Sequence, residues 1–237
     1  MNQAWPEIRP EVQHDGPTIF VPREGKTQWW TGNPAWLPLS AADAPHRHIV
    51  TRAEVLSHHQ CRILIECFER NREACATRDG DPFWSGRFIW QDALPAHEVE
   101  AMRIMQQARF LAQTLLAQVA LPKQPLYSDT AQLVRWHEGH ELTPHADNIE
   151  PDGRPNATPH RAFSSLIYLN DDYEGGETYF PGHGVRLKPR TGALVLFGAG
   201  PQYVHGVSRV TRGLRYTYAG WFTFDKIHED QNAIRIF

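Results

Sequence analysis

The chain has 237 residues, 41% of them hydrophobic and 22% charged, a balance that supports an ordinary globular core. Its formal net charge is -3, its pI is about 6.5, and its basic residues form no run, which excludes a surface built to hold nucleic-acid phosphates or an anionic membrane. No window reaches the roughly 18 apolar residues of a membrane helix, and Met1-Asn2-Gln3-Ala4-Trp5 lacks the basic start of a secretory signal. With three cysteines, Cys61, Cys67 and Cys75, in one helix-like stretch and no disulfide framework, the expected setting is a reducing cytoplasm.

Residues 1–50 are rich in proline and tryptophan and read as an extension wrapped around a core built elsewhere, with a strand near 18–21 and Trp29, Trp30 and Trp36 as packing or pocket residues. Thr51 reads as an N-cap and Glu54 as its capping-box partner. Val55, Cys61, Ile63, Leu64, Cys67 and Phe68 then give the spacing of an amphipathic helix to about residue 76. After the break at Asp79-Gly80-Asp81-Pro82, a strand is expected at 88–90. A second helix follows over 95–119, marked by Met102, Met105, Phe110, Leu111, Leu115 and Leu116 and ended by Leu121-Pro122.

From residue 126 the texture changes to short β-prone runs at 127–136, 164–169, 177–180, 184–187, 193–197, 202–207 and 215–224, parted by Gly, Pro and Asp. Many closely spaced strands indicate a sandwich or barrel rather than a parallel α/β sheet. The fold class expected is mainly β with supporting α-helices around a double-stranded β-helix, a cupin-like jelly roll. One domain over 1–237 is expected, with the extension at 1–50, helices at 51–125, the core at 126–225 and a tail at 226–237.

Within that core, His145-Ala146-Asp147 places an imidazole and a carboxylate at i and i+2, on one face of an extended segment. His205, in a later β-prone run, offers a second imidazole. Two His and one carboxylate on one face of an octahedral ion leave three positions open, as non-haem Fe(II) oxygenases require. Arg215, on the next expected strand, supplies a guanidinium able to grip a carboxylate in bidentate fashion. His137-Glu138-Gly139-His140 lacks the i, i+4 spacing of a zinc-protease helix and reads as a polar, mouth-lining loop. Arg161 and Arg212 read as surface charges or structural ion pairs.

Residues 127–225 carry an ordered set of blocks: Pro144-His145-Ala146-Asp147, Ile167-Tyr168-Leu169-Asn170, Glu174-Gly175-Gly176-Glu177-Thr178, Leu187-Lys188-Pro189, Gly192-Ala193-Leu194-Val195-Leu196-Phe197, His205-Gly206-Val207, Arg215-Tyr216 and Trp221-Phe222. In these blocks the chain resembles the 2-oxoglutarate- and Fe(II)-dependent dioxygenases of the prolyl 4-hydroxylase type. The resemblance implies that His145, Asp147 and His205 ligate iron and that Arg215 pairs with the C5 carboxylate of 2-oxoglutarate. It places Tyr168 on the co-substrate and Trp221 in the pocket wall. Trp136 stands where the family commonly has tyrosine, so that wall should differ. The activity implied is O2-dependent hydroxylation of an unactivated C–H bond, with 2-oxoglutarate decarboxylated to succinate and CO2 and ascorbate as a supporting reductant. The substrate implied is an amino acid, free or as a prolyl-like residue of a peptide; a small-molecule biosynthetic intermediate is the alternative. No nucleic-acid or membrane partner is expected. Residues 148–160, with Pro151, Gly153, Pro155 and Pro159, read as a loop able to close over the pocket.

Overall fold

The computed structural model describes residues 49–76, 83–119 and 125–231, with the backbone of two short strands nearer the N-terminus; Trp36 and the side chains of Trp29 and Trp30 lie outside the described residues. In chain order the elements are β1 (Ile19–Arg23), β2 (Lys26–Trp30), β3 (Val50–Arg52), α1 (His58–Arg70), β4 (Phe88–Trp90) and α2 (Val99–Val119). There follow β5 (Tyr127–Trp136), β6 (Leu142–His145), β7 (Arg161–Tyr168), β8 (Glu174–Gly175), β9 (Thr178–Phe180) and β10 (Val185–Leu187). The last are β11 (Leu194–Gly198), β12 (His205–Val207), β13 (Val210–Arg212) and β14 (Arg215–Thr223). Two antiparallel sheets, β2-β1-β10-β9-β12-β6 and β3-β11-β7-β14-β5-β4, form a double-stranded β-helix, with β13-β8 as a small separate ladder.

Alternation along the strands explains the layering. In β5 and β11, Ala131, Leu133, Leu194 and Leu196 face outward and join one core with Leu64 and Phe68 of α1 and Met105 and Leu116 of α2. The residues between them face inward. Val195 and Phe197 meet Phe180, Val185 and Leu187 of the opposite sheet, while Val134 and Trp136 pack with Phe88 and Val207. The second sheet is thus buried on both faces. Each leucine or phenylalanine sealed under the helices contributes about 1.5–3 kcal/mol.

The helix starts differ from the sequence expectation. Thr51 belongs to β3, where it pairs with Val195 of β11. Helix α1 begins after Ser57, whose side chain accepts from the Gln60 amide at 3.2 Å while Gln60 Oε1 accepts from the Ser57 amide at 2.9 Å. The same capping pattern occurs twice in sequence. The β-branched pair Val50 and Thr51 goes to the sheet, and the second copy starts the helix. The helix stops at Arg70, not near 76, because the Asn71 amide side chain takes the Cys67 carbonyl at 2.8 Å and a 3-10 turn follows at Arg72–Ala74. Cys75 therefore lies outside the helix that holds Cys61 and Cys67. Helix α2 starts at Val99 rather than 95, after Glu98 has turned back to accept from Arg70 and Asn71. In the expected strand 202–207, only His205–Val207 is extended; Pro201–Tyr203 forms a 3-10 turn. Among the described residues, no helix is long and apolar enough to cross a membrane.

Candidate metal and co-substrate site

His145 ends β6 and His205 begins β12, and the two are direct partners across the antiparallel ladder. Their rings lie 4.4 Å apart between centroids. Each ring is oriented by its own backbone. His145 Nδ1 lies 3.1 Å from the Thr143 carbonyl and His205 Nδ1 lies 3.1 Å from the Tyr203 carbonyl. A carbonyl only accepts, so both Nδ1 atoms donate, and each neutral ring presents the Nε2 lone pair to the interior. Asp147 lies between them, its Oδ1 3.5 Å from His145 Nε2 and its Oδ2 4.0 Å from His205 Nε2. Among the described residues these three form the group whose ligand atoms, within 4.8 Å of one another, could hold a metal ion.

The carboxylate is held from the other side. Asp147 Oδ2 accepts from the Ser164 hydroxyl of β7 and, at 3.1 Å, from Trp221 Nε1 of β14. Ser164 and Trp221 are register partners, so two adjacent strands aim their donors at one oxygen and leave Oδ1 for an ion. Arg161 lies over the Trp221 ring, 3.7 Å from its centroid, and donates to Asp129 Oδ2 at 3.2 Å. Arg161 is thus a structural ion pair, and it also forms part of the cavity wall.

The electrostatics match a cation site. Burial pushes the His205 pKa down to about 4, so the ring is neutral near pH 7 and available as a ligand. Burial alone would raise the Asp147 pKa, but His205, His145 and the Ser164 hydroxyl outweigh it and hold the group as an anion. At His145 burial also acts downward, yet the hydrogen bond and charge of Asp147 carry the pKa upward. Positive charge is therefore favoured between these groups. A hard divalent cation with imidazole and carboxylate ligands fits the donor set.

Arg215 is 1% exposed, and no carboxylate among the described residues pairs with it. Its Nε donates to the Gly176 carbonyl at 2.9 Å and its Nη2 lies 3.4 Å from Thr178 Oγ1. Gly176 has φ 66, and a Cβ there would stand 2.9 Å from both Arg215 Cδ and the Tyr173 ring, so only glycine lets the arginine pass. A buried guanidinium without an anion is costly and marks a place for one. The same cavity, about 760 Å3, is lined by Arg215, Thr178, His145, Asp147 and His205. A dicarboxylate that reaches from the ion to Arg215 fits this cavity.

Every residue singled out in the sequence for this site lies in or beside the cavity. Trp136 is buried in its wall, with the Arg215 guanidinium 5.6 Å from its ring. Tyr168 stands behind the wall: its hydroxyl bonds Thr178 Oγ1 at 2.7 Å, and Thr178 is the residue that faces inward. Thr178 and Ser164 were not singled out. Thr178 could have been found in the Gly-Gly-Glu-Thr block, whereas Ser164 is identified only by pairing with Trp221. His137 and His140 do not line this cavity. The His137 amide donates to His140 Nδ1 at 3.1 Å in a tight turn on the far side of Trp136. Residues 148–160 form a short hairpin, bridged at Ile149 and Pro155, whose Ile149, Glu150 and Asn156 reach the cavity.

Residues 131–223 match the 2OG-Fe(II) oxygenase superfamily. The chain is 33% identical over 156 residues to human prolyl 3-hydroxylase 3, an alignment covering 56% of this chain and 20% of that protein. It is 37% identical over 103 residues to rat prolyl 3-hydroxylase 2, covering 38% and 15%. The chain thus spans a fifth or less of the length of these curated relatives. Among solved structures, the viral collagen prolyl hydroxylase of Paramecium Bursaria Chlorella virus-1, in its 2OG complex, superposes with a TM-score of 0.59 at 18% identity, covering 76% of this chain and 97% of that one. A Pseudomonas putida prolyl-4-hydroxylase gives 0.56 at 20% identity, covering 79% and 100%. These superpositions establish the shared jelly roll. The matched segment spans every strand that carries the site, and over it the chain is similar to the 2OG-Fe(II) oxygenase superfamily.

Proposed function

We propose that this protein hydroxylates a prolyl residue, with Fe(II) held by His145, Asp147 and His205 and the C5 carboxylate of 2-oxoglutarate paired with Arg215. The observation that carries this reading is the sharing of one cavity by three inward-turned ligand atoms and a buried, anion-free guanidinium. The similarity of the chain to prolyl 3-hydroxylases supports the choice of proline. When bound, iron with 2-oxoglutarate and O2 supplies an oxidative decarboxylation, giving succinate and CO2, coupled to insertion of oxygen into a C–H bond.

The protein's own contribution is placement. Ser164 and Trp221 fix Asp147 so that its free oxygen and the two Nε2 atoms converge. Gly176 and Thr178 fix Arg215 at a set distance from that point, which orients a bound dicarboxylate before reaction. Trp84, Trp90, Trp136 and Phe197 wall the cavity with apolar surface and limit water around the reacting atoms.

The test is succinate release by the Fe(II)-loaded enzyme with 2-oxoglutarate and a proline-containing peptide, alongside a peptide mass gain of one oxygen atom. NMR of the product assigns the carbon, C3 or C4. Asp147→Ala should abolish both signals. Full hydroxylation by Asp147→Ala sinks the ligand assignment, and no prolyl product from enzyme shown to bind iron and 2-oxoglutarate sinks the substrate assignment.

A further inference from the structure

Residues 148–160 lie between the metal-ligand pair and β7, and their hairpin carries Glu150 into the cavity wall. Glu150 is three residues beyond Asp147, so the two Cα atoms stand within about 11 Å of each other. Its main chain is fixed. The Glu150 amide donates to the Arg154 carbonyl at 2.8 Å, and its carbonyl accepts from the Gly153 amide at 2.9 Å. Both ends of the segment are tied to the site, the Asn148 side chain donating to the Arg161 carbonyl at 2.9 Å and the Thr158 hydroxyl to the Asp147 carbonyl at 2.8 Å. The Glu150 carboxylate, by contrast, makes no hydrogen bond or ion pair with any described residue. Arg154, the cation of the same hairpin, is turned to Asp152, with Nε and Nη2 both 2.7 Å from Asp152 Oδ2.

The other charges of the cavity are matched. Arg161 Nε and His160 Nε2 each lie 3.2 Å from Asp129 Oδ2, and His228 stacks on His160 at 3.6 Å. A divalent ion and Arg215 would offset Asp147 and a bound dicarboxylate. Glu150 is then the lining charge left without a counterpart. Negative charge in excess at the mouth of a low-dielectric cavity draws cations in and turns anions away. The wall suits a cation as well. Trp84 and Trp90 line it, and indole rings attract ammonium and guanidinium groups. Arg161 already rests on one such ring, 3.7 Å from the Trp221 centroid. The aliphatic stem of a long basic side chain covers apolar surface of this kind while its head stays at the rim.

We propose that the substrate carries a cationic group beside the target proline and that Glu150 pairs with it at the cavity mouth. Two sources share this chemistry: the ammonium of proline as the free amino acid, and a lysine or arginine side chain next to proline in a peptide. The proposal rests on the prolyl hydroxylase reading above and deepens it.

The test uses the iron-loaded enzyme with free proline and with three N-acetylated, C-amidated peptides of one central proline, flanked on both sides by lysine, glutamine or glutamate. Anaerobic calorimetry on enzyme holding Mn(II) and 2-oxoglutarate reads Kd apart from turnover. The wild type should bind the lysine peptide about fivefold more tightly than the glutamine peptide, the size of an ion pair at a partly open site, and the glutamate peptide more weakly than either. Added salt should narrow the gap. Glu150→Gln should erase this order and Glu150→Lys should reverse it, and a reversal cannot arise from misfolding. If the ammonium of free proline is the group, the proline Kd should instead rise about fivefold in Glu150→Gln while the three peptides bind alike. A peptide order unchanged in both variants, together with a proline Kd that Glu150→Gln leaves unmoved, overturns the role of Glu150 and leaves the prolyl reading intact. A KM for 2-oxoglutarate that moves in place of the substrate's overturns it equally. Hydroxylation of none of the four overturns the prolyl reading, and absence of binding as well overturns the Glu150 pairing with it.

Discussion

Two buried charges show how differently single residues are balanced in this fold. Glu98 accepts from Arg70 at 2.8 and 3.2 Å and from Asn71 at 2.8 Å, and these donors, Arg70 foremost, hold its carboxyl below the ordinary value of 4.5 against the upward pull of burial. A depressed folded-state pKa contributes stability above the unfolded pKa, and that contribution is lost as pH falls from about 4.5 through the lower folded value. Glu98→Gln should therefore cost about 1–3 kcal/mol near neutral pH and should flatten the acid side of the stability profile. Urea unfolding at neutral pH and near pH 3 checks both; an unchanged acid slope would exclude Glu98 as a source. Arg215 is the opposite case, a buried cation with its anion still to come. Arg215→Ala removes a charge-assisted pair worth about 1.5–3 kcal/mol. The KM for 2-oxoglutarate should rise roughly ten- to a hundredfold, with the ion site retained. An unchanged KM would move the anchor to another cation of the wall, such as Arg161.

At the scale of elements, the hairpin bridged at Ile149 and Pro155 starts two residues after Asp147 and reaches the cavity through Ile149, Glu150 and Asn156. Its tip is closed by the Glu150 amide on the Arg154 carbonyl at 2.8 Å and the Gly153 amide on the Glu150 carbonyl at 2.9 Å, and none of its residues belongs to the buried apolar clusters of the described residues. Such a segment is expected to open easily and to be covered when a peptide fills the cavity. Limited proteolysis should cut it in the apo protein and spare it with peptide, 2-oxoglutarate and Mn(II) present; equal cutting in both states refutes the lid. The strands were legible in sequence where one face is apolar and the other is not, as at β5 and β14, because alternation survives in the residues themselves. β8 and β13 were missed because Glu174-Gly175 and Val210-Thr211-Arg212 carry no apolar run, whereas the equally short β4 is marked by Phe88-Ile89-Trp90, and β3 was missed because Thr51 also fits a helix cap. The start of α1 was misplaced because two capping patterns compete there and tertiary pairing of Val50 and Thr51 decides between them. The metal set was legible because His145 and Asp147 are two apart in sequence. Ser164 was not, because its role arises from its register partner Trp221 on another strand.

For the whole molecule, the site joins both sheets: His145 and His205 come from one, and Ser164, Arg215 and Trp221 from the other. Ligands that bridge the sheets should therefore stabilise the entire jelly roll and not a single loop. At a hundred times its dissociation constant, a ligand that binds only the folded state adds about 2.7 kcal/mol. Mn(II) should raise Tm, 2-oxoglutarate should raise it further only when Mn(II) is present, and Arg215→Ala should lose the second increment alone. A 2-oxoglutarate shift that survives in Arg215→Ala would show that the anion binds elsewhere. Trp221 carries a further consequence, an optical one. Of the chain's eight tryptophans, Trp84, Trp90, Trp136 and Trp221 line the cavity, and Trp90 stands 6.4 Å from Trp221. At that separation excitation passes between indoles, and Trp221 touches the carboxylate that would bind the ion. A paramagnetic ion at Asp147 should therefore drain emission from much of the wall, so that the protein's own fluorescence reports metal loading without a label, and Trp221→Phe should blunt that signal.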